Sequence, residues 1–160
     1  MSCIVRYLAA CCGVVHSNGG NADYYGKSFF LRFGWHMRLN RKEFEALVKR
    51  AVRRIPQEFR RHLRDVAVVV RDRPGKRLLR ELEIPEGDDL FGYYEGTPLT
   101  ERSVSQSQRY PDTIYLFKRP LEGSCETRQE LEEEIEITVR HELGHYLGME
   151  EERLAELGYE

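Results

Sequence analysis

No stretch of this chain is long and apolar enough to cross a bilayer, which takes about 20 consecutive apolar residues. Nor do its four cysteines form a framework. Cys3, Cys11 and Cys12 crowd the N-terminus and Cys125 stands alone, with neither disulfide nor Cys-based zinc spacing. They read as free thiols of a reducing compartment, so a cytoplasmic location is expected and no membrane contact. Leu8-Ala9-Ala10-Cys11 superficially matches a lipoprotein cleavage box, but the apolar run after Arg6 is too short for a signal sequence. Internal repeats and a second domain boundary are also missing. What is left, 160 residues with 41% hydrophobic and 32% charged, suits one globular domain with a modest core.

Net charge is small, −2, but it is unevenly distributed. Residues 38–80 carry 15 Lys/Arg against 5 Asp/Glu, whereas residues 81–160 carry 7 against 21. A basic block invites a nucleic-acid reading through phosphate contacts. Here the arginines of the Lys49–Arg64 stretch interleave with apolar positions at helical spacing and carry no recognition motif. The expectation is a solvated face near the acidic half, with nucleic acid not a partner.

Residues 1–36 differ in character from the rest of the chain. Ser17-Asn18-Gly19-Gly20-Asn21 is a cluster of breakers, and organised sequence begins after Met37, a plausible alternative start. The reading is a poorly ordered N-terminal extension over 1–36 and one domain over 37–160. Asn40 with Glu43 reads as a capping box, leading into Phe44, Leu47, Val48, Ala51, Val52 and Ile55 at helical steps up to Pro56. A short helix about Gln57–Leu63, a buried strand Val66–Val70 and a short helix over 76–83 come next. Leu90–Leu99 suggests a strand and turn, 100–111 a surface loop, and Thr113–Phe117 a strand bounded by Pro111 and Pro120. An acidic helix runs from about Thr127, with no Gly or Pro between 128 and 143. A last helical piece spans Glu152–Leu157, with Gly158 as its stop.

That acidic helix ends in His141-Glu142-Leu143-Gly144-His145-Tyr146-Leu147-Gly148-Met149-Glu150-Glu151, or H-E-x-x-H-x-x-G-x-x-E. Two histidines four apart lie one above the other on a helix, so both imidazoles reach one ion. Glu142 lies about 100° around the helix, close enough to act on a metal-activated water without being a ligand. Gly148 lets the chain reverse and return Glu151 as a third ligand, with Glu150 the competing candidate. Three protein ligands with an open position is the catalytic pattern of zinc, so one Zn2+ ion is the expected cofactor. Glu134 and Thr138, on the histidine face further back, are candidates to support His141. His16, His36 and His62 are read as non-ligands, and Tyr146 as a packing residue that could also orient substrate.

Taken together, these segments resemble a family of short bacterial zincin-like metallopeptidases, the minimal zincins, over roughly residues 37–160. The likeness rests on the strand Val66–Val70, the phrase Leu90-Phe91-Gly92-Tyr93-Tyr94-Glu95-Gly96-Thr97-Pro98-Leu99-Thr100-Glu101-Arg102, the strand Asp112–Arg119 into Pro120-Leu121, and the His141–Glu151 motif with Leu154, Glu156, Leu157 and Gly158 behind it. Members commonly carry Asp where this chain has Glu151. The resemblance implies an α+β zincin-like single domain, with a small mixed β-sheet packed on a backing helix and an active-site helix. It also implies that the strand near Tyr94 and Glu95 lines the cleft, where a peptide or protein substrate adds to the sheet edge. The expected function is zinc-dependent hydrolysis of peptide bonds with Glu142 as general base. The alternative is a zinc-binding interaction or regulatory module without catalysis, which would have no need of Glu142.

Overall fold

The computed structural model describes residues 7–8, 37–85, 87–103 and 111–159. Its strands are β1 (Tyr7–Leu8), β2 (Val66–Arg71), β3 (Asp89–Leu90), β4 (Gly92–Glu95) and β5 (Asp112–Phe117). Its helices are α1 (Arg41–Arg54), α2 (Gln57–Arg60), α3 (Lys76–Glu81), α4 (Lys118–Ser124), α5 (Arg128–Tyr146) and α6 (Glu151–Glu156). The expectation for the extension over 1–36, with Cys3, Cys11, Cys12, His16 and His36, lies outside the described residues apart from β1. That short strand pairs antiparallel with β3.

Helix α1 begins at the expected cap. The Asn40 side chain accepts the Glu43 N–H at 3.0 Å, and the Glu43 carboxylate accepts the Asn40 N–H at 2.9 Å. This exchange satisfies two of the donors a helix leaves over at its start. The helix stops at Ile55, which turns extended (ψ 131°) because the adjoining Pro56 disfavours helical geometry there. A second reciprocal cap, Thr127 with Glu130, starts the 19-residue α5.

Strand β5 is central in a sheet ordered β2-β5-β4, parallel to β2 and antiparallel to β4. Its Ile114 and Leu116 are fully buried, as are Leu131, Ile135, Val139 and Leu143 of α5, and one core joins them to Phe44, Leu47 and Ala51 of α1. The result is an α+β fold, with α1 behind the long helix and β4 at the edge of the sheet. Helices α1 and α5 run in the same direction, tied by Arg50 to Glu132 and, one turn on, Arg54 to Glu136 at 2.9 Å. The opposed charges of the two halves thus meet along a helix pair, half-exposed arginines of α1 reaching the largely covered Glu132 and the buried Glu136 of α5.

Helix α4 departs from the sequence expectation, in which Pro120 closed the preceding strand. Pro120 instead lies in the first turn of a helix, where a missing N–H leaves no bond unmade. The buried Glu122 of α4 binds Lys118 Nζ at 2.8 Å and accepts the Leu39 N–H at 2.8 Å, anchoring the approach to α1. Helix α6 starts at Glu151, one residue before the expected point.

Candidate metal centre

The last two turns of α5 are buried throughout, from His141 to Tyr146. One turn apart on one face, His141 and His145 bring their Nε2 atoms to 3.0 Å. The chain then reverses at Gly148 (φ +80°), a left-handed conformation that other residues resist. Two bonds close the turn: Met149 N–H to the Gly144 carbonyl at 2.9 Å and Gly148 N–H to the His145 carbonyl at 3.0 Å. Any side chain at 148 would also run into Thr100. Beyond the reversal, α6 packs its fully buried Leu154 over Gly144, where a Cβ would collide with it.

This return brings Glu151 back to the histidines, its Oε1 3.4 Å from each Nε2. Glu150 occupies the N-cap position of α6 without a side-chain capping hydrogen bond, is exposed, and is not part of the cluster that could hold an ion; that cluster is His141, His145 and Glu151. His141 Nδ1 donates to the Tyr159 carbonyl at 2.7 Å. A carbonyl can only accept, so in the neutral ring the proton is on Nδ1 and Nε2 turns a lone pair toward His145. Burial first, and His141 second, push the His145 pKa down to about 4 against a backbone hydrogen bond to Met149 that raises it. At neutral pH this ring is therefore uncharged and able to ligate.

The donor set can be compared with the geometry of zinc. Tetrahedral bonds of about 2.0–2.1 Å put neighbouring ligand atoms roughly 3.3 Å apart. Separations of 3.0, 3.4 and 3.4 Å match that spacing. A charge-assisted hydrogen bond would draw a carboxylate to about 2.7–2.9 Å of an imidazolium, closer than Glu151 lies. Two imidazoles and one carboxylate are also the donor types zinc takes. The residues present fit the ion.

Glu142 is fully buried on the flank of the helix facing β4. A Cβ placed on Gly92 would lie 2.5 Å from Thr138 Cγ2 and 3.0 Å from Glu142 Oε1, so only glycine lets the strand come this close. Thr138 does not support His141 as the sequence suggests: its hydroxyl donates to the Glu134 carbonyl at 2.8 Å. The acceptor on His141 is Tyr159, a main-chain oxygen that a sequence scan for polar side chains cannot find. Tyr146 packs in the core, edge-on to Tyr94 with ring centroids 6.0 Å apart, under the Arg102 guanidinium at 5.1 Å. His62, read as a non-ligand, sits 6.4 Å from that ring and outside the cluster. Arg102 and Tyr94 converge on the buried Asp112, at 2.6 and 2.7 Å. Cys125 is buried and free, and no described helix is long and apolar enough to cross a membrane.

Among curated proteins no relative matches the chain. A model of the zincin-like metallopeptidases matches residues 63–159, which hold β2, the sheet edge, α5 and the returning α6. That match covers more than half of the chain, which belongs to the zincin-like metallopeptidase family.

Proposed function

We propose that this chain is a zinc-dependent peptidase in which His141, His145 and Glu151 hold the ion and Glu142 is the general base. The observation that carries the reading is the convergence of two imidazole nitrogens and one carboxylate oxygen at co-ligand spacing. A separation of 3.0 Å between these two nitrogens suits a proton shared between the rings or a cation that both ligate. Zinc bound there supplies an acidified water and a Lewis acid for the scissile carbonyl.

The protein's own share of the chemistry falls to Glu142. Its carboxylate lies beside the histidine face and is buried, a setting in which it takes a proton from the attacking water and delivers it to the leaving amine. Gly92 leaves it room on the strand side. The substrate is a peptide in extended conformation. Strand β4 is an edge strand among the described residues, the place where an extended peptide would add to the sheet. Such main-chain recognition binds without fixing a side-chain preference.

The test uses zinc-loaded protein and an unstructured peptide library. Glu142→Gln keeps the size of the side chain and removes the base, so kcat falls about 10²- to 10⁴-fold with zinc content unchanged. Activity equal to that of the parent in Glu142→Gln rejects the mechanism. Zinc uptake with no cleavage by the parent favours the non-catalytic module.

A further inference from the structure

Helix α6 has only six residues, too few to persist alone in water, yet both of its ends serve the metal centre. Its first residue is Glu151. Beyond its last, Gly158 turns left-handed (φ +71°), Gly158 N–H bonds the Ala155 carbonyl at 2.9 Å, and Tyr159 N–H bonds the Leu154 carbonyl at 3.0 Å. This closed turn aims the Tyr159 carbonyl at His141 Nδ1. The Tyr159 ring fixes the turn against the body of the protein. It meets Phe59 edge-on with centroids 6.3 Å apart and lies under the Arg140 guanidinium at 5.5 Å. Arg140 is in turn bound to Glu136, which Arg54 also holds.

From this arrangement we infer that Tyr159 is a positioning residue for the metal: its anchored ring holds the backbone carbonyl that fixes the orientation and tautomer of His141. The inference rests on the reading of His141 as a ligand. With the proton held on Nδ1, the Nε2 lone pair is presented to the cation without a preceding rotation or proton shift. A ring released from this acceptor must reorder before it can bind. The part played by position 159 is thus its ring as a wedge and its main chain as an acceptor, and neither requires the phenol oxygen. Position 158 contributes backbone conformation alone, since a Cβ there meets no atom within 4 Å.

The test measures zinc affinity of the full chain by competition with a chromogenic chelator, together with the thermal midpoint of each metal-free variant. Tyr159→Ala removes the wedge, and Gly158→Val disfavours the left-handed turn at a position where an added Cβ meets no atom within 4 Å. Each is expected to weaken zinc binding about 10- to 100-fold, as loss of a ligand's hydrogen-bond partner does elsewhere. Tyr159→Phe is expected to restore the parental affinity. His141→Ala is the control for the underlying reading. If it abolishes binding while Tyr159→Ala and Gly158→Val bind as the parent does, the positioning role is overturned and the ligand assignment stands. Binding undiminished in His141→Ala overturns both. Affinity lost only in step with collapse of the metal-free fold makes the role structural, and also overturns the inference.

Discussion

A methyl group added at Gly92 reports on how closely β4 and α5 are set around Glu142. In Gly92→Ala the new carbon starts 2.5 Å from Thr138 Cγ2, 3.0 Å from Glu142 Oε1 and 3.1 Å from Glu142 Cγ. Carbon atoms settle at about 3.5–4.0 Å, so roughly 1 Å of movement is needed at the first contact. Thr138 yields little, because it is branched at Cβ and its hydroxyl is bonded to the Glu134 carbonyl. The strain therefore falls on the strand and on the Glu142 carboxylate. Overpacking of this kind costs about 1–3 kcal/mol. For a domain of this size, about 0.3 kcal/mol per degree, that lowers the melting temperature by about 3–9 °C. A carboxylate displaced by about 1 Å costs on the order of 10²-fold in kcat/KM. The assay is peptide cleavage by the zinc-loaded variant, with zinc per chain and melting temperature measured on the same sample. Zinc content should hold while cleavage drops. Parental kcat/KM and melting temperature in Gly92→Ala would refute the close approach of strand and base.

The same geometry sets three further expectations. Gly148→Ala forces an L side chain into φ +80° and against Thr100, so it should cost at least about 1 kcal/mol in denaturant unfolding and weaken zinc binding by shifting Glu151; an unchanged affinity would separate the reversal from the site. Arg102→Ala leaves the buried Asp112 carboxylate without its guanidinium and should lower stability by about 1.5–3 kcal/mol, with most of the loss recovered on adding Asp112→Asn; no recovery in the double variant would contradict the pairing. The His145 pKa is depressed in the fold, so an unfolded chain takes up the proton first as pH falls. Metal-free protein should therefore hold its full His145 contribution above about pH 6.5 and lose it progressively towards about pH 4. Thermal melts across that range should show a slope that flattens in His145→Gln.

The features legible in the chain and those hidden in it have a common physical basis. Local chemistry was legible: Asn40 and Glu43 cap α1, Thr127 precedes α5, and Val66–Val70 lies within β2 because these signals act within a few residues. The metal motif was legible for the same reason, since helix pitch alone stacks His141 over His145. Glu151 needed one further element, the left-handed turn at Gly148, and glycine there announces it. Pro120 is ambiguous in the sequence because proline ends strands and also opens helices, and here it lies in the first turn of α4. Gly92 and Tyr159 were invisible because their roles depend on tertiary approach. One is a missing side chain opposite a helix 46 positions on, and the other a carbonyl brought back 18 positions later. No local pattern encodes either.

The most direct test of the whole account is the zinc stoichiometry of the full chain after reconstitution and removal of excess metal. One zinc per chain is expected for the parent and for Glu150→Ala, with uptake lost in His145→Ala and sharply weakened in Glu151→Ala. A parent that takes up no zinc, or a Glu150→Ala variant that loses it as Glu151→Ala is expected to, would contradict the assignment of the site.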